Sequence, residues 1–111
     1  MTHDPLLASR IRALLADEAA TSERAMFGGL AFLVTGRLAV AAGGHGQLMV
    51  RVDPSRSAEW VDPPSVLPVQ MKGRALAGWL EVSADALRED EVLRVWVERG
   101  VARAAALPTR S

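Results

Sequence analysis

Arg24-Ala25-Met26-Phe27-Gly28-Gly29-Leu30-Ala31-Phe32-Leu33-Val34 is the stretch whose reading decides the fold. It is the longest apolar run in the chain, and its alternation predicts a strand from Ala25 to Val34. Leu30, Phe32 and Val34 fall on one face of that strand, Ala31 and Leu33 on the other. A Gly pair sits where a strand would normally carry packing side chains, which points to a bulge or a close backbone approach.

Upstream, Asp4-Pro5 is a helix start: Asp caps free N–H groups, and Pro at the first helical position loses no hydrogen bond. Leu7, Ile11, Leu14 and Leu15 then share one helical face, so a helix is predicted to about Ala19 or Ala20. Thr21-Ser22-Glu23 reads as a connection. Downstream, Thr35-Gly36 is a two-residue hairpin turn, leading to a second strand, Arg37 to Ala42, apolar on both faces. Gly43-Gly44-His45-Gly46 turns the chain into a third strand, Gln47 to Val52, with Leu48, Val50 and Val52 inward.

Asp53-Pro54 repeats the helix-start device, predicting a short helix to about Trp60 that ends before Asp62-Pro63-Pro64. Val66-Leu67-Pro68-Val69 is a short edge strand, where Pro is tolerated. Met71-Lys72-Gly73-Arg74 is a polar turn, and Ala75 to Val82 is the last strand. In it Leu76, Gly78 and Leu80 alternate with Ala77, Trp79 and Glu81. Ser83 caps a single turn through Leu87. A helix from about Glu89 to Leu107 closes the order, with Leu93, Trp96 or Val97, Gly100 and Ala104 inward. Glu91, Arg94 and Glu98 pair on its outer face. The expectation is an α+β domain over 1–111, ordered from about 4 to 108, with an antiparallel sheet of about five strands in the order α-β-β-β-α-β-β-α.

Composition narrows the function classes. The chain has 111 residues, half of them apolar, and no Cys, which removes thiol chemistry, disulfides and cysteine-based zinc sites. Thirteen basic residues balance thirteen acidic ones, which argues against direct binding to nucleic-acid backbones. No window approaches the ~18 uninterrupted apolar residues of a membrane span, and the N-terminus lacks the pattern of a secretory signal. A cytoplasmic location is the expectation.

The residues carry no recognisable catalytic or metal motif. Gly43-Gly44-His45-Gly46 lies between two strands and matches neither the dinucleotide fingerprint nor the P-loop spacing, so it reads as a hairpin turn. His3 and His45 form no ligand pair. None of Ser9, Ser22, Ser55, Ser57, Ser65 or Ser83 sits in a nucleophile elbow. No cofactor, metal or catalytic residue is expected, and the chain reads as non-enzymatic.

Two candidate surfaces remain. Arg51, Lys72 and Arg74, with Arg56 nearby in sequence, form a local anion site if the third strand and the Lys72 turn share one end of the sheet. The alternative is ordinary surface cations pairing with Asp53, Glu59 or Asp62. Met26, Phe27, Gly28, Gly29, Met71 and Trp79 are read either as an association surface or as core.

Arg24 to Phe32, then Thr35-Gly36, Leu48-Met49-Val50-Arg51-Val52-Asp53, Met71-Lys72-Gly73-Arg74-Ala75-Leu76-Ala77-Gly78-Trp79-Leu80-Glu81-Val82, Trp96-Val97 and Ala106-Leu107-Pro108 together resemble the N-terminal domain of the TfoX/Sxy competence-regulator family. The resemblance runs from about Ala8 to Pro108. It implies an α+β fold like that of type III secretion chaperones, in which dimers are common, and it brings no catalytic residues to carry over. Larger members add a C-terminal helical domain, so the resemblance implies the isolated N-terminal domain. The expected function is a regulatory or protein-interaction module, a homodimer with a further protein partner. The alternative is a small anion- or metabolite-binding domain, or an enzyme, using Arg51, Lys72 and Arg74.

Overall fold

Asp4 starts the first helix in the way its position before Pro5 predicts. Its Oδ1 accepts the backbone N–H groups of Leu6 at 2.9 Å and Leu7 at 3.2 Å. The structure, a computed structural model, describes residues 4–18, 20–26 and 28–107 and, at Met71, the backbone alone. Helix α1 spans Pro5–Leu14 and buries Leu7, Ala8 and Ile11, with Leu15 just beyond. Leu14, expected on that face, is 38% exposed. The helix is also shorter than the periodicity predicts, because Thr21 is already committed to pairing with Val34. Arg12 forks onto Glu23 at 2.6 and 2.9 Å, tying the helix to that strand.

The stretch from Ala25 to Val34 is not one strand but parts of two. β1 is Thr21–Met26 and β2 is Gly29–Val34, closed into a hairpin by the pairing of Met26 with Gly29. Gly28 occupies the turn at φ 69°. The segment Thr21-Ser22-Glu23, read as a connection, is therefore strand. This gives six strands where about five were expected. The others are β3 (Arg37–Ala42), β4 (Leu48–Arg51), β5 (Val66–Met71) and β6 (Arg74–Val82). All pair antiparallel in the order β1-β2-β3-β4-β6-β5, so β5 and β1 are the edges. Thr35-Gly36 and Lys72-Gly73 turn with positive φ at both residues, the two-residue hairpin geometry that suits twisted strands.

The front face of the sheet is sealed by helices. Phe32, Val40, Val50 and Leu80 lie in one row across β2, β3, β4 and β6. They share a core with Leu7, Ile11, Leu15, Leu87 of a 3-10 turn (Ala86–Arg88), and Leu93, Trp96 and Val97 of α3 (Asp90–Ala106). The inner face expected for α3 is the one found, with Leu93, Trp96, Val97, Gly100 and Ala104 buried. Glu91 and Glu98 both engage Arg94 on its outer side. A bulge helps seat this helix. Phe32 pairs with Val40 and Leu33 with Leu38, which leaves Ala39 unpaired, and Gly100 packs directly over its carbonyl.

The alternation along β6 breaks near Gly78. Leu76 packs with Trp79 on the back of the sheet and not with Leu80. Gly78 takes φ 81°, and the β5–β6 register shifts between Pro68 and Gln70. The irregularity flips the side-chain alternation that an unbroken strand would keep.

Candidate functional site

The back face of the sheet carries its own apolar cluster: Ala31, Leu33, Ala41, Met49, Val69 and Trp79, with Met26, Leu38 and Leu76 packed against it. Among the described residues every member comes from a strand, whereas the helices bury their side chains in the front core. Across this face one row of partners runs Arg24, Ala31, Ala41, Met49, Glu81, Leu67, one residue from each strand in sheet order. It is basic at one end, apolar in the middle, and acidic with an apolar tip at the other.

The basic end opens into a cleft of about 490 Å³ lined by Arg24, Leu33, Gly36, Arg37, Leu38, Arg51 and Leu107. Leucines supply the apolar lining and three guanidinium groups stand with them. Neither Arg24 nor Arg51 forms an ion pair among the described residues, and the same holds for Glu81 at the far end. Leu67, beside Glu81 on the edge strand, is 41% exposed.

The residues singled out from the sequence divide accordingly. Met26 and Trp79 belong to this back-face cluster. Gly28 and Gly29 build the β1–β2 turn at its margin, Phe27 lies outside the described residues, and so does the Met71 side chain. Arg51 opens onto the cleft with Arg24 and Arg37, not with Lys72 and Arg74. Those two sit exposed at the β5–β6 turn, with Arg74 five residues along β6 from Trp79, the partner of Arg51. The Gly43–Gly46 loop is occupied internally: Gly43 N–H donates to the Gln47 carbonyl at 2.8 Å, and the Gly43 carbonyl accepts from Gly46 N–H at 3.4 Å and from Asp4 N–H at 3.1 Å. The described residues hold no group of three or more His, Asp or Glu placed for a metal, and no helix among them is long and apolar enough to cross a membrane.

A second constellation was not visible in the sequence. Helix α2 (Ser57–Trp60) sets Trp60 edge-on to Trp96 of α3, with centroids 5.9 Å apart and planes at 88°. The Arg99 guanidinium lies over both rings, 4.4 Å from Trp60 and 4.5 Å from Trp96, while Arg56 lies 5.0 Å from Trp60. Arg103 stands one turn beyond Arg99. Around them is a hollow of about 340 Å³ lined by Val52, Asp53, Arg56, Trp60, Arg99, Ala102, Arg103 and Ala106. Asp53 is held below the usual carboxylate range, first by the Ser55 backbone N–H, then by the Ser55 hydroxyl, with Arg103 and Arg56 adding their fields. Trp96, Arg99 and Arg103 at i, i+3 and i+7 were the available sequence signal. What no spacing could supply was the docking of α2 against that stripe.

The profile of the TfoX N-terminal domain matches residues 13–104, most of the chain. No curated protein matches it. The profile match covers the whole meander, the α2 segment, the β5–β6 hairpin and nearly all of α3, and on that extent the chain belongs to the TfoX N-terminal domain family.

Proposed function

We propose that this chain is a non-enzymatic, cytoplasmic regulatory module that works through protein–protein contact, and that its first partner is a second copy of itself. The family match supports a regulatory type of domain. The observation that carries the reading is the row Arg24, Ala31, Ala41, Met49, Glu81, Leu67 on the helix-free face. A two-fold axis near the middle of that row sets the basic end of one copy against the acidic end of the other, twice. Four strand steps of about 4.8 Å separate Arg24 from Glu81, so both charge pairs form about 19 Å apart around an apolar centre. The charges fix orientation, and the apolar centre contributes the burial.

Sedimentation of the purified chain should show a dimer. Arg24→Glu and Glu81→Arg should each weaken it at least tenfold, and the double variant should restore most of the loss. A monomer at every concentration, or a double variant no better than either single one, would overturn this arrangement.

A further inference from the structure

We infer that the Arg99–Arg103 edge of α3 is a binding site for a phosphate monoester. Arg99 and Arg103 are four residues apart on a helix, so their side chains rise about 6 Å apart on one face. Among the described residues neither forms an ion pair, whereas Arg56 is shared with Glu59 at 3.5 Å. Among the described residues, Arg103 Nε is buried and has no hydrogen-bond partner. A buried donor left unpaired is disfavoured, and native structures rarely keep one unless a ligand, ion or water completes it.

A purely structural account covers part of this. Arg99 adds to packing by lying over two indoles, and a cation in the last turns of a helix suits the negative end of the macrodipole. Neither role uses Arg103 Nε, and neither explains why two forks adjoin a hollow whose one acid, Asp53, already accepts from Ser55 N–H at 2.9 Å and Ser55 Oγ at 2.8 Å.

The ligand class follows from what the hollow offers. Trp60 is engaged by two guanidiniums and by its T-shaped contact with Trp96, so the site supplies charge and donors and not an open stacking face. That favours a compact oxyanion over a nucleobase. A lone carboxylate is satisfied by one guanidinium fork. Two forks on successive turns match a tetrahedral group with three terminal oxygens. Val52, Ala102 and Ala106 form a short apolar wall for the few carbons attached to it. A phosphorylated small metabolite and a phosphoserine side chain present the same chemistry, and the site recognises the phosphate common to both.

The test is an NMR titration of the full chain following the arginine Nε–Hε signals. Glycerol 3-phosphate and a phosphoserine peptide are compared with sodium chloride at matched ionic strength. Saturable shifts at Arg99 and Arg103 are expected with both phosphates, and the tighter of the two identifies the source. Arg103→Gln and Arg99→Gln should each weaken binding at least tenfold, with Arg74→Ala leaving it unchanged. Arg103→Gln should also leave the sedimentation behaviour as it was, since α3 lies on the opposite side of the sheet from the Arg24–Leu67 row. Shifts no larger than those from chloride would overturn the assignment, as would full affinity in Arg103→Gln.

Discussion

Replacing Gly29 with Ala should remove a large part of the stability of this domain, while the same change one residue earlier should cost far less. A Cβ at Gly29 would stand 2.1 Å from the Ala42 carbonyl oxygen, with the Ala42 carbon at 3.1 Å and the Gly43 Cα at 3.2 Å. Every one of these is backbone, so no side chain can swing aside and β3 itself must move. Gly43 also accepts from Asp4 N–H, so the disturbance reaches the start of α1. Overpacking costs typically up to about 3 kcal/mol, and a rigid backbone obstruction puts this site at the upper end. Against a total of roughly 5–15 kcal/mol that is a substantial fraction.

At Gly28 a Cβ meets nothing within 4 Å among the described residues, and the penalty comes from its φ of 69°. That conformation costs a non-Gly residue about 1–2 kcal/mol, and less for Asn. Urea denaturation should therefore rank the variants, with Gly28→Asn nearest the parent, Gly28→Ala next and Gly29→Ala far below, all at similar m-values. Equal midpoints for the two alanine variants would show that the approach of Gly29 to β3 is not the constraint.

Gly100→Ala should destabilise although it improves helix propensity. A solvent-facing Gly in mid-helix gains about 1 kcal/mol on becoming Ala. Here the new methyl would lie 2.6 Å from the Ala39 carbonyl oxygen and 2.7 Å from Val40 Cγ1. Lifting α3 off the sheet enough to relieve both contacts opens the front core around Val40, Trp96 and Val97. The overlap exceeds the propensity gain, and a net loss of about 2 kcal/mol is expected. For a domain of this size that lowers Tm by roughly 8 °C or more in a calorimetric scan. A raised Tm would mean that the helix does not sit this close to β3.

Most of the architecture was legible because local chemistry and global packing agree. Asp4-Pro5 starts a helix, Thr35-Gly36 and Lys72-Gly73 turn hairpins, and Leu93 to Ala104 marks the buried side of α3. The exceptions share a cause. Met26, Gly29 and Leu30 are apolar or small, so the turn between β1 and β2 carries none of the polar punctuation that marks other hairpins. Gly78 hides an irregularity inside a run that still alternates on paper, which misplaced Leu76. The basic residues were hardest to place, because their company depends on how elements meet. Arg51 sits with Arg24 and Arg37 only because β1 to β4 lie side by side, and Arg99 meets Trp60 only because α2 folds onto α3.

The unpaired Ala39, over which Gly100 settles, also bears on how the chain acquires its shape during synthesis. β1 to β4 form an uninterrupted meander, complete once Arg51 has been made. Its hairpins join sequence neighbours and close quickly. The helix that fits over Ala39 is translated after all six strands, and β6, the second neighbour of β4, also follows the meander. Until then Phe32, Val40 and Val50 lack α3 over them, and the free side of β4 is an open edge. The nascent meander is thus the form most exposed to premature association, and the arrival of α3 ends that window.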